Sequence, residues 1–130
     1  MSKSANNFIN IFLDDKALRK QIMGIETDST PLEEPKNPDT CNCFTLYKLL
    51  ATPAQTEEMR ANYLAGNYGY GHAKQALFEV IVEKFATVRE KYNYYSTNLE
   101  EVDKLLLEGA AKASDVADGV LKKVRAKLGY

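Results

Sequence analysis

The chain is poor in the residues that most chemistry needs. It has one histidine, His72, and two cysteines, Cys41 and Cys43, in 130 residues. Nucleophilic or acid–base catalysis of the Ser/His/Asp or Cys/His kind needs a base with a partner, and no such set can be assembled here. Four-cysteine zinc sites use two C-x2-C pairs, whereas this chain has a single C-x-C with its histidine about thirty residues away. On a helix, thiols two residues apart point about 200° away from each other. The expectation is therefore two free, reduced thiols and no metal. No run of 18 apolar residues exists, so no helix is expected to span a membrane. The start, MSKSANNF, has no apolar stretch of signal-peptide length, so a cytoplasmic protein is expected. Net charge is −1, which leaves no global basic field to drive non-specific nucleic-acid binding. Any such contact must come from a local patch or a specific loop.

What is present is apolar residue at helical spacing. At 45% hydrophobic, a chain of this length can bury a core. Residues 1–13 read as a loop. Asp14 and Asp15 are N-cap types, and Leu18, Ile22 and Ile25 follow at i, i+4, i+7, a short amphipathic helix. Residues 26–40, ETDSTPLEEPKNPDT, hold three prolines on a polar background, which excludes a regular element. A loop that long is usually functional or mobile. Asp39 or Thr40 is expected to cap the next helix, in which Phe44, Tyr47 and Leu50 or Ala51 share a face. Thr52-Pro53 then opens another helix as N-cap and N1, and Gly66 stops it. From Gly71 to about Tyr95, the stripe Leu77, Ile81, Phe85, Val88, Tyr92 and Tyr95 predicts one long central helix of roughly 36 Å. A last helix, capped by Thr97 or Asn98, carries Val102, Leu106, Ala113, Val116, Val120, Val124 and Leu128, with a break or bend expected near Gly109. No segment alternates like a strand. The fold class is all-α, a helical bundle of five or six helices, with a loop over 1–13 and the helical domain over 14–130.

Three stretches invite functional readings. The glycines of Gly66-Asn67-Tyr68-Gly69-Tyr70-Gly71 resemble a phosphate loop, but Gly71 is followed by His72 rather than lysine and no strand precedes it. A tight interhelical turn is favoured, with the N–H groups at the helix start and Lys74 left as an anion-binding alternative. Arg89-Glu90-Lys91-Tyr92-Asn93-Tyr94-Tyr95 has the composition to stack bases and neutralise phosphates. The stripe instead favours Tyr92 and Tyr95 as core, with Tyr94 more exposed. The run Lys122–Lys127 suits a solvated helix C-terminus.

Several blocks, in order, resemble one family. Met1-Ser2-Lys3-Ser4 matches the Lys-Met-Ser-Lys-Ser loop of class I aminoacyl-tRNA synthetases, lacking its first lysine. Thr27-Asp28-Ser29 follows a short helix, and Asn42-Cys43-Phe44-Thr45-Leu46-Tyr47 follows the Pro-rich loop. Tyr63 to Lys74 leads into a long helix, and Leu107-Glu108-Gly109-Ala110-Ala111-Lys112-Ala113 into the last one. Together these blocks resemble the bacterial tryptophanyl-tRNA synthetases, from the signature loop to the C-terminus. The glycine-rich turn and the Glu-Gly-Ala block favour them over the tyrosine enzymes.

The resemblance implies the back end of an ATP-dependent tryptophan–tRNA ligase, whose nucleotide-binding domain lies outside this chain. Met1, Ser2, Lys3 and Ser4 would contact ATP in the intact enzyme, with Lys3 stabilising charge on the phosphates as the loop closes. ATP with Mg2+ would serve the intact enzyme, with no cofactor expected for this part alone. The partners implied are tRNA(Trp), the nucleotide-binding domain and, in the intact enzyme, a second copy forming a homodimer. The family's anticodon recognition maps onto Thr27, Asp28 and Ser29. A carboxylate there can accept from cytosine N4–H2 or guanine N1–H, or Asp28 can simply close a local Asx-turn. Arg19 and Lys20 are candidate phosphate contacts. The competing reading is an autonomous helical protein-interaction module whose start resembles the loop by chance.

Overall fold

A computed structural model describes residues 7–130. These hold six α-helices and no strand: α1 (Asp15–Met23), α2 (Asn42–Leu50), α3 (Pro53–Ala65), α4 (Tyr70–Lys84), α5 (Ala86–Thr97) and α6 (Leu99–Leu128). A single 3-10 turn, Pro38–Thr40, precedes α2. The all-α expectation holds. The chain divides into two compact units, one ending at Arg89 and one running from Glu90 to Tyr130. Among the described residues no helix is long and apolar enough to cross a membrane.

The core lies in the first unit. Leu18 and Ile22 of α1 pack with Phe44 and Tyr47 of α2, Met59 and Tyr63 of α3, and Ala73, Leu77 and Ile81 of α4. Helix starts follow their sequence signals. Asp14 caps α1 by accepting from the Ala17 N–H at 2.9 Å. Thr52 and Gln55 form a capping box on α3, with Pro53 in its first turn. The start of α2 departs from expectation. Cys41 is its N-cap and gives no side-chain hydrogen bond. Asn37 caps the 3-10 turn instead, accepting from the Asp39 N–H at 2.9 Å. Asp39 pairs with Arg60 at 2.9 Å. Cys41 and Cys43 are both free and both buried. Their divergent directions do not expose either thiol, because Cys41 precedes the helix and meets the Tyr63 hydroxyl at 3.4 Å.

Two helices differ from their periodicity. The expected single helix from Gly71 to Tyr95 is interrupted at Phe85, where φ −102° and ψ 11° leave the helical region. Phe85 packs on the core, and no glycine or proline marks the break in the sequence. Conversely, α6 runs unbroken for 30 residues through Gly109. One glycine costs a helix about 1 kcal/mol, too little to break so long an element. Tyr92 and Tyr95 are not core: they are 48% and 39% exposed. An apolar stripe records which face is oily, not whether anything covers it. No residue of α6 is buried, although its apolar stripe is continuous.

Candidate nucleic-acid interface

The loop between α1 and the 3-10 turn is held by a charge. Lys36 is only 3% exposed. Its Nζ donates to the carbonyls of Pro31 at 2.9 Å, Leu32 at 3.2 Å and Glu34 at 3.1 Å. An ammonium has three N–H donors, so all are used and the buried charge is compensated by carbonyl dipoles. Its backbone N–H donates to the Tyr63 carbonyl at 2.7 Å, joining the loop to the end of α3. The proline-rich segment is thus fixed by its only lysine.

The glycine cluster completes the fit. Gly66 ends α3 with φ +76°, and Asn67 follows at φ 57°. A Cβ on Gly66 would lie 2.5 Å from the Glu33 carbonyl oxygen. The glycine is needed for its conformation and for the close approach of the loop. Gly69 is the N-cap of α4 and His72 lies in its first turn. The cluster is an interhelical turn, as the sequence favoured.

That turn places Tyr70 at the start of α4. Its ring meets Tyr63 edge-on, with centroids 6.1 Å apart, and the Lys36 ammonium lies 5.5 Å from its centroid. Its hydroxyl donates to Oδ1 of Asp28 at 2.6 Å. The same oxygen accepts from the Thr30 N–H at 2.9 Å, which is the Asx-turn. The Tyr70 hydrogen bond, then those of Thr30 and the charge of Lys36, hold the Asp28 carboxyl below the usual carboxylate range. Burial, and then the hydrogen bond to Asp28, push Tyr70 up to about 12. Asp28 and Ser29 remain exposed, and Thr27 is half-buried.

Arg19 and Lys20 lie on the exposed side of α1. Arg19 Nε donates to Gln75 on α4 at 2.9 Å. Its side chain edges a shallow depression shared with Met23, Gly69, Gly71, His72 and Gln75. The first turns of α4 therefore receive both the Asp28 loop and Arg19, while Lys20 meets neither. Met1, Ser2, Lys3 and Ser4 lie outside the described residues. Sequence reasoning missed Lys36 and Tyr70. Lys36 sits in a polar, charged run that reads as solvated, and Tyr70 reads as one of several turn aromatics.

No protein-family model matches the chain. Relatives match it nearly end to end. The tryptophan–tRNA ligase of Fusobacterium nucleatum is 46% identical over 129 residues, covering 99% of this chain and 39% of its own length. That of Rhodopirellula baltica is 46% identical over 129 residues, covering 99% of this chain and 40% of its own length. The crystal structure of tryptophanyl-tRNA synthetase from Campylobacter jejuni superposes over 100% of this chain and 42% of its own, with TM-score 0.94 and 40% identity. The chain is homologous to the C-terminal part of tryptophan–tRNA ligases. It spans about two fifths of the length of the tryptophan–tRNA ligases it matches. The same Campylobacter jejuni enzyme, in complex with ADP and tryptophan, superposes with TM-score 0.95. The described helices match the helical C-terminal region of tryptophan–tRNA ligases.

Proposed function

We propose that this chain is the helical region by which a cytoplasmic tryptophan–tRNA ligase recognises the anticodon of tRNA(Trp). In the intact ligase, ATP with Mg2+ activates tryptophan, which is then transferred to the tRNA. That chemistry resides in the part of the ligase beyond this chain, with Met1–Ser4 contributing the signature loop and Lys3 facing the phosphates. The homodimer is formed mainly by that other part. Thr27, Asp28 and Ser29 read the anticodon, and Arg19 and Lys20 contact its phosphates.

One observation carries this reading. Asp28 is an exposed carboxylate, held in place by hydrogen bonds from Tyr70 and Thr30 on a loop that is itself anchored. Bases in a single-stranded loop offer their Watson–Crick edges, and an oriented carboxylate selects those with N–H donors.

The test is charging by the intact ligase carrying Asp28→Ala, against wild-type and anticodon-altered tRNA(Trp). Preference for the native anticodon should fall about tenfold, the value of one good base contact. Unchanged charging of both tRNAs would remove Asp28 from the interface.

A further inference from the structure

Asp28 is an exposed carboxylate on a loop, and such a group, left unsupported, discriminates poorly. What distinguishes it here is the structure behind it. A lysine almost fully removed from water gathers three loop carbonyls and lies against the face of Tyr70. The other side of this assembly is the aromatic cluster of Tyr63 with Phe44, at 5.5 Å, and Tyr68, at 5.7 Å. Tyr63 is itself fully buried. The Tyr70 ring is therefore set by packing, and the position of its hydroxyl follows. That hydroxyl then sets Asp28 from the far side of the chain, 42 residues away in sequence.

We infer that Tyr70, seated on the buried Lys36, is a specificity-determining positioning residue. It holds Asp28 as an oriented anionic acceptor for the exocyclic amino group of an anticodon cytosine. The inference rests on the anticodon reading above and adds to it the source of the discrimination. An ionised carboxylate has about four lone-pair sites, and the two measured bonds both go to Oδ1, so acceptor capacity remains for a base. Cytosine offers an amino donor where uracil offers a carbonyl acceptor. A carboxylate kept charged and fixed attracts the first and repels the second. The groups facing Asp28 are Tyr70 from α4 and Thr30 and Lys36 from the loop, and all three favour its charged form. A mobile Asp28 would lose that selectivity while keeping most of its contact.

The experiment compares the wild-type chain with Tyr70→Phe and Asp28→Ala. The phenylalanine variant keeps the ring on Lys36 and Tyr63 and removes only the hydroxyl. Backbone amide NMR shifts are followed while adding an RNA hairpin with the tRNA(Trp) anticodon loop, or the same hairpin with one anticodon cytosine replaced by uridine. Each anticodon cytosine is replaced in turn. The wild type should prefer one cytosine over uridine by about tenfold. Tyr70→Phe should reduce that preference to about twofold or less in a chain that still folds, with a lowered melting temperature, as loss of one charge-assisted hydrogen bond implies. Asp28 should also titrate closer to the ordinary value of 3.8 in this variant. If Asp28→Ala loses the preference and Tyr70→Phe retains it, the positioning role is wrong and the anticodon reading stands. If neither hairpin shifts residues 27–30, or Asp28→Ala keeps the wild-type preference, the anticodon reading fails and this inference falls with it.

Discussion

At the scale of single residues, the candidate site depends on two positions that look unremarkable in the glycine-rich turn. Gly66 is one. Its positive φ and the Glu33 carbonyl 2.5 Å from a notional Cβ leave no room for a side chain. Gly66→Ala should cost about 1–3 kcal/mol in backbone strain alone, read as a lower urea midpoint, with residues 27–36 losing amide protection first. Tyr70 is the other. Its raised pKa means the folded state holds the phenolic proton more tightly than the unfolded chain, whose tyrosine titrates near 10. Its stabilising contribution is complete below pH 10 and is lost as pH rises through about 12. Alkaline titration followed by tyrosinate absorbance should show the loop released in that window, with Tyr70→Phe removing this step. Asp28 and Asp39 behave in the opposite sense. Their lowered values give a contribution that is present above 3.8 and lost only as pH falls through the folded value. The Tyr70–Asp28 contact is therefore insensitive to pH across the neutral range.

At the scale of elements, the caps of α1 and α3 and the turn at Gly66 followed local chemistry, whereas the start of α2 and helix continuity did not. Thr52, Pro53 and Gln55 announce α3 in three letters because a capping box is satisfied within one turn. Asp14 does the same for α1. The break at Phe85 and the absence of one at Gly109 depend on summed weak preferences, which sequence patterns rank poorly. The glycines of α6 are now testable. Nothing lies within 4 Å of a Cβ at Gly109 or Gly119, and neither has positive φ. Gly109→Ala should therefore stabilise α6 by about 0.5–1 kcal/mol, seen as increased helical circular dichroism on heating. The cysteines give a second check on packing. Burial, and then the nearby Cys41, push the Cys43 thiol up to about 12. A thiolate so disfavoured should leave Cys43 unreactive toward disulfide reagents until the chain unfolds.

At the scale of the whole molecule, the near-zero net charge limits what the chain does alone. Lys+Arg total 17 against 18 Asp+Glu, so few phosphates can be neutralised at once. Binding of tRNA(Trp) by this chain should be weak, with a salt dependence matching only one or two phosphate contacts, a slope of about −1 to −2 in log K against log salt. Arg19→Ala should reduce that slope. The isolated chain should show no tryptophan-dependent exchange of pyrophosphate into ATP, because it covers about 40% of the ligase length. Measurable exchange would refute the division of labour proposed above.

The amino-acid sequence determined the helical class, the capped starts of α1 and α3, the turn at Gly66 and the family likeness. Each of these is written in residues adjacent along the chain or at fixed helical spacing. Tertiary structure alone decided that Lys36 would be buried, that Tyr70 would hold Asp28, and that Tyr92 and Tyr95 would stay exposed. Those outcomes turn on which surfaces meet. A lysine enters a core only if several carbonyls converge on it, and that convergence is produced by the folded loop, not by any local pattern.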